Sequence, residues 1–172
     1  KGPDFSDMWV NITGWTTPGK RFKYLPDSNE FISQPMSSEA EYPELEDLVV
    51  KEVMVTSHDG VQVPVSILHR KNIKMDGSTP ATMYGYGSYG ISTGPFFSPL
   101  LLVHTLYGGM FVVPHVRGGG ELGDAWHRDG QKLNKPNTWK DAIATAQYLI
   151  DEGYTSPEKL SFFGGSAGGI LV

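Results

Sequence analysis

The 172-residue sequence contains no cysteine. Disulfides, thiolate metal sites and a cysteine nucleophile are thereby excluded, and the lack fits a cytoplasmic protein, with a bacterial periplasm as the alternative compartment. Basic residues are in deficit: 14 Lys and Arg stand against 19 Asp and Glu, a formal net charge of −5. With no basic stripe, neither a nucleic acid nor an anionic membrane surface is expected as a partner. Long hydrophobic runs are missing too; stretches such as Ser98–His104 are core-sized and fall short of the ~20 residues of a membrane span. None of the five histidines has a ligand partner at metal-binding spacing, so no metal or other cofactor is expected. The opening residues, Lys1 to Asp7, carry neither an initiator Met nor a signal-peptide pattern, which places any targeting segment upstream.

What is present is enough for a packed core: 39% of residues are hydrophobic and 12% aromatic. The length allows one domain or parts of two. Residues 1 to about 35 read as short antiparallel strands (MWVNIT, RFKYL, EFIS) separated by the turns TTPGK and PDSN. Two or three such strands do not bury a face alone, so they are expected to belong to a larger β domain. Residues 34–48, rich in Ser, Pro and acid, read as a connector.

Beyond it the pattern turns α/β. Residues 48–70 hold two strands around Asp59-Gly60, a hairpin signal. STPATMYGYG is a strand running into a glycine-rich loop, SPLLLVHTLYGG a helix stopped by Gly108, and MFVVPHV another strand. After a polar loop from Arg117 to Asn137, a helix is predicted over Thr138–Glu152. Thr138 and Asp141 form its capping-box start, Trp139, Ile143, Ala146 and Ile150 its apolar face, and Gly153 its end. SPEKLSFF supplies a turn and a last short strand. A hairpin followed by alternating strands and helices predicts an α/β fold with a mostly parallel sheet.

That last strand runs directly into Gly164-Gly165-Ser166-Ala167-Gly168, a G-x-S-x-G sequence. In a chain with 21 glycines the motif alone is weak; its setting between a strand and helix-compatible residues gives it meaning. A nucleophile elbow needs glycines around its serine so that strand and helix can approach closely. It would expose the Ser166 hydroxyl above the sheet edge. The backbone N–H of Ala167 would then face a developing oxyanion.

A competing pattern is Gly85, Gly87 and Gly90, which satisfy G-x-G-x-x-G. A dinucleotide site requires a helix opening there, yet ISTGPFFSP follows, and Arg117 falls where an acid would hold the ribose. The better reading is a loop carrying tyrosine hydroxyls toward Ser166.

YGYGSYG, VRGGGELG followed by Trp126, GYTSPEKL and GGSAGG occur in this order, and together they resemble the prolyl oligopeptidase family of serine peptidases, which includes oligopeptidase B. The stretch from Asp4 to Leu25 is similar to the last blade of that family's β-propeller, and Lys51 to Leu68 to re-entry into its hydrolase domain. The resemblance implies that residues 1–43 are the end of a propeller plus a connector, and residues 44–172 the N-terminal part of an α/β-hydrolase domain. It further implies a serine-type endopeptidase acting on short peptides through an acyl-enzyme on Ser166. Tyr86 would complete the oxyanion hole beside Ala167, and Tyr89 would line the substrate pocket. An esterase using the same elbow, and a catalytically dead homologue used for binding, remain as alternatives.

The other conspicuous residues are expected to be structural. Arg117 and Glu121 should pair and brace their loop, Trp126 and Trp139 should be core, Tyr84 should pack, and His115 should be a satisfied buried histidine. In α/β-hydrolases the acid and the base follow the serine in the chain. Both are therefore expected after Val172, making the rest of the polypeptide the partner that completes the site and leaving these 172 residues inactive alone.

Overall fold

The computed structural model describes residues 7–35, 37 and 40–172. The opening segment and three connector residues (Met36, Ser38, Glu39) lie outside the described residues. The chain divides into two compact units, Lys1–Pro43 with Pro95–Pro99, and Glu44–Gly94 with Leu100–Val172.

In the first unit, β1 (Met8–Ile12), β2 (Lys20–Leu25) and β3 (Glu30–Ser33) form an antiparallel sheet in sequential order. Met8 pairs with Tyr24, and Phe22 with Ser33. The PDSN turn ends on Asn29 in the left-handed region (φ +55°), where its side-chain oxygen accepts from the Tyr24 hydroxyl at 2.9 Å. Asn is among the few residues that tolerate this conformation. The Trp15 ring is buried and meets Phe96 edge-on at 5.2 Å.

The second unit holds β4 (Leu48–Thr56), β5 (Gln62–Arg70), β6 (Ala81–Tyr84), β7 (Met110–Pro114) and β8 (Leu160–Phe163) in the order β4-β5-β7-β6-β8. The hairpin β4–β5 and the pair β5–β7 are antiparallel; β7–β6 and β6–β8 are parallel. Val63, Val65, Ile67, Met83, Met110 and Val112 on the middle strands are fully buried, packed with Leu149 of α3 (Pro136–Asp151). A short helix, α1 (Pro99–Leu106), carries the chain from β6 to β7, and α3 carries it from β7 to β8. The chain therefore steps from β6 to one side and then crosses back over it to the other. Open α/β sheets bind ligands at the carboxyl ends of strands where the direction reverses in this way, which here means the ends of β6 and β8. Among the described residues no helix is long and apolar enough to cross a membrane.

Three expectations are corrected. The sheet is mixed and not mostly parallel, since two of its four strand pairs are antiparallel. The loop from Arg117 to Asn137 contains a helix of its own, α2 (Asp124–Arg128), because Trp126 is buried and its indole N–H donates to His115 O at 3.1 Å. The capping box does not form either. The long helix opens two residues earlier, at Pro136, whose fixed φ suits a first helical position. Thr138 and Asp141 are then inside the helix, fully buried and turned toward Arg117. The buried face is Thr138, Asp141, Ala142, Thr145 and Leu149, so the apolar stripe predicted over Trp139, Ile143, Ala146 and Ile150 lies on its flank, with Ile143 63% exposed. Buried hydrogen bonds to Arg117 outweigh the apolar periodicity in setting the helix's rotation.

Candidate active site

Because β6, β7 and β8 run parallel, the loops that follow them emerge on one edge of the sheet. These loops carry Tyr86, Arg117 and Ser166. Ser166 directly follows the β8 exit and sits in the left-handed region at φ +54°, starting a 3₁₀ turn, Ser166–Ile170. A non-glycine residue held there costs about 1–3 kcal/mol, a strain that persists only where surrounding structure enforces it and that clusters at functional sites. The side chain is exposed, and among the described residues no hydrogen bond engages its hydroxyl. Ala167 is the second residue of the turn, and the first N–H groups of a helical turn lack partners within it.

Close approach explains two of the three elbow glycines. A Cβ on Gly164 would collide with Gly168 O and lie 3.1 Å from Gly85 O; one on Gly168 would lie 2.8 Å from Gly85 O and 3.4 Å from the Tyr86 ring. Gly165 has nothing within 4 Å of its missing Cβ, so the turn does not require it sterically. Gly164→Ala is therefore expected to lower the unfolding free energy by about 1–3 kcal/mol, and Gly165→Ala to cost under about 1 kcal/mol. Urea unfolding of the two variants would check this, and equal effects would contradict it.

The same contacts place the half-buried Tyr86 against the elbow. Tyr89, on the same loop, is 75% exposed with φ +58°. Between them Gly87 (φ +62°) packs so closely on Val116 and Thr138 that no side chain fits. Gly90 N–H donates to Gly118 O at 3.0 Å, stacking this loop on the glycine loop after β7. Tyr84 packs on Phe163 at 4.9 Å, as its expected role requires.

Arg117 does not pair with Glu121. Arg117 is 2% exposed, and its guanidinium donates to both oxygens of Asp141 on α3 (Nη2–Oδ1 2.6 Å, Nε–Oδ2 3.0 Å) and to Asp59 of the β4–β5 turn (Nη1–Oδ2 2.6 Å). The hydrogen bonds to Asp141, and then those to Asp59, hold Arg117 far above its ordinary pKa. Asp59 is pulled down from 3.8 to about 2 by the same guanidinium. Glu121 instead accepts from Thr93 N–H at 2.7 Å and lies 3.8 Å from His115 Nδ1. His115 is buried as expected but only half satisfied: Nε2 meets Ser66 Oγ at 2.8 Å, while Nδ1 has no hydrogen-bond partner among the described residues. His127 packs beside Gly90, its Nδ1–H donating to Gly118 O at 3.0 Å.

Ser57, His58 and Asp141 also converge, beside a cleft of about 650 Å³ between β4 and α3. The Ser57 hydroxyl donates its proton to Asp141 at 2.6 Å and is buried, so that trio is a structural brace with no free nucleophile. Among the described residues no group of three or more His, Cys, Asp or Glu side chains could hold a metal ion.

A sequence model of the prolyl oligopeptidase family matches residues 96–172. The dual function macrocyclase-peptidase POPB of Galerina marginata is 38% identical over 96% of this chain and 23% of its own length. The prolyl endopeptidase of Elizabethkingia meningoseptica is likewise 38% identical, over 96% of this chain and 23% of its own. The structure of oligopeptidase B from Leishmania major superposes with a TM-score of 0.88 at 32% identity, covering 98% of this chain and 23% of that one. The chain thus spans about a quarter of the length of the curated relatives it matches.

Proposed function

We propose that the full-length protein is a serine-type peptidase of the prolyl oligopeptidase family, whose sequence model matches residues 96–172, and that it cleaves short peptides through an acyl-enzyme on Ser166. In this reading residues 1–43 close a β-propeller and residues 44–172 begin the α/β-hydrolase domain. The observation that carries it is Ser166 itself, exposed and strained at φ +54° at the end of a parallel strand, with Tyr86 packed on the next glycine of its turn.

The chemistry follows from that placement. Ser166 Oγ attacks the scissile carbonyl carbon while its proton passes to a base supplied by the remainder of the polypeptide. The C=O electrons move onto oxygen, where the Ala167 N–H and the Tyr86 O–H donate to the negative charge that exists only near the transition state. Collapse re-forms the carbonyl and expels the amine, which takes the proton back from the base. Water then attacks the ester under the same base and frees Ser166. Tyr89, exposed beside Tyr86, contacts the residue before the scissile bond.

Fluorophosphonate labelling of the full-length protein followed by peptide mapping tests the assignment. Label on Ser166 together with peptide turnover supports it. Turnover of esters but not peptides would point to an esterase, and no label at all to a binding-only homologue. Tyr86→Phe should lower kcat by ~10²–10³-fold and leave KM within about threefold, because its hydrogen bond forms only in the transition state. A raised KM at unchanged kcat would remove Tyr86 from the oxyanion hole.

A further inference from the structure

The loop that carries Tyr86 and Tyr89 is poorly determined by its own sequence. Gly87, Tyr89 and Gly90 all take positive φ (+62°, +58° and +64°). Glycine-rich turns of this kind have many accessible conformations, so something outside the loop must select one. Gly90 is held by Gly118 O. The segment nearest Tyr86 is held by one side chain from elsewhere: Lys135 Nζ donates to Gly87 O at 2.6 Å and to the buried Ser88 Oγ at 2.9 Å.

Lys135 is otherwise badly placed. It stands at the N-terminal end of the 16-residue α3, where the helix dipole disfavours a cation. Burial pushes its pKa below the ordinary lysine value, with no charged neighbour to offset the shift. No carboxylate pairs with it among the described residues. The groups around the loop that carry or could carry charge are otherwise engaged: His127 donates to Gly118 O, and Arg117 to Asp59 and Asp141. An ammonium kept there against desolvation, dipole and lack of a counter-ion does one visible thing, which is to fix the carbonyl and hydroxyl on either side of the Gly87–Ser88 peptide.

We propose that Lys135 is a positioning residue for catalysis: its ammonium clamps Gly87 and Ser88 and so sets where the Tyr86 hydroxyl meets the oxyanion. The inference rests on the reading of Tyr86 given above. It does not touch substrate; it acts through the loop, and a donor displaced by about 1 Å can cost ~10²-fold in rate.

The test is a double-mutant cycle in the full-length protein, using a fluorogenic peptide that the parent hydrolyses. Lys135→Met, which keeps the stem and removes the donors, should lower kcat about 10²-fold and change KM less than about threefold. Lys135→Arg, which keeps charge and donors, should recover at least tenfold of the loss. Combining Lys135→Met with Tyr86→Phe should be no worse than about threefold below Tyr86→Phe alone, since the clamp has nothing left to position. A near-parental kcat for Lys135→Met, or losses that multiply in the double variant, would overturn the inference while leaving the Tyr86 reading intact. A parental kcat for Tyr86→Phe would instead overturn that reading and this inference with it. Should Lys135→Met unfold, Lys135→Gln takes its place in the same cycle with the same outcomes.

Discussion

Ser166→Ala in the full-length protein is expected to lose about 10⁶-fold in peptide kcat, down to the ~10³–10⁴-fold over water that binding and an oxyanion hole supply without a nucleophile. The Ser57 hydroxyl is buried against Asp141 and does not stand in as nucleophile. Ser166→Gly removes the hydroxyl as well, but it should raise the unfolding free energy by about 1 kcal/mol, because glycine accepts φ near +54° without a Cβ clash. Loss of turnover together with a gain of stability is the signature of a strained functional serine. Retention of more than a few per cent of parental turnover by Ser166→Ala would place the nucleophile elsewhere. Destabilisation by Ser166→Gly would show that the turn is not strained.

Arg117→Met should produce the largest loss of stability, about 3–5 kcal/mol in urea unfolding. It leaves the fully buried Asp141 with Ser57 Oγ and a single backbone N–H, and a buried carboxylate stripped of its cation is far costlier than the intact pair is stabilising. Asp59→Asn breaks the other arm of the same guanidinium but should cost no more than about 1 kcal/mol, since the Asp59 side chain is 35% exposed and solvent screens the pair. The acid limb carries the same information. Asp59 titrates near 2 when folded against an ordinary 3.8, so its contribution is fully present above pH 3.8 and disappears as pH falls toward 2. Asp59→Asn should flatten that part of the stability profile. An Arg117→Met variant within 1 kcal/mol of the parent would mean that Asp141 finds another partner or is protonated.

The sites of these two predictions differ in how far the sequence reveals them. The turn at Ser166 is legible because its geometry is local: a strand-forming run, glycines for close approach and a serine between them lie within nine residues. The hairpin around Asp59-Gly60 and the end of α3 at Gly153 are legible for the same reason, since each is dictated by the conformational preference of one or two residues. Pairing Arg117 with Glu121 used that local logic and failed. The partners actually chosen, Asp141 and Asp59, lie 24 and 58 positions away.

What the sequence by itself determined is therefore the main strands, the long helix, their α/β alternation and the glycine-flanked turn at Ser166, all of which follow from neighbours along the chain, whereas α2 does not. The tertiary structure alone decided the strand order that brings the β6 and β8 loops to one edge, the rotation of α3 about Asp141, and the 48-residue reach by which Lys135 holds Gly87. The physical reason is that a buried charge or donor is satisfied by whatever partner the packed core brings within about 3 Å. No periodicity along the chain records that partner.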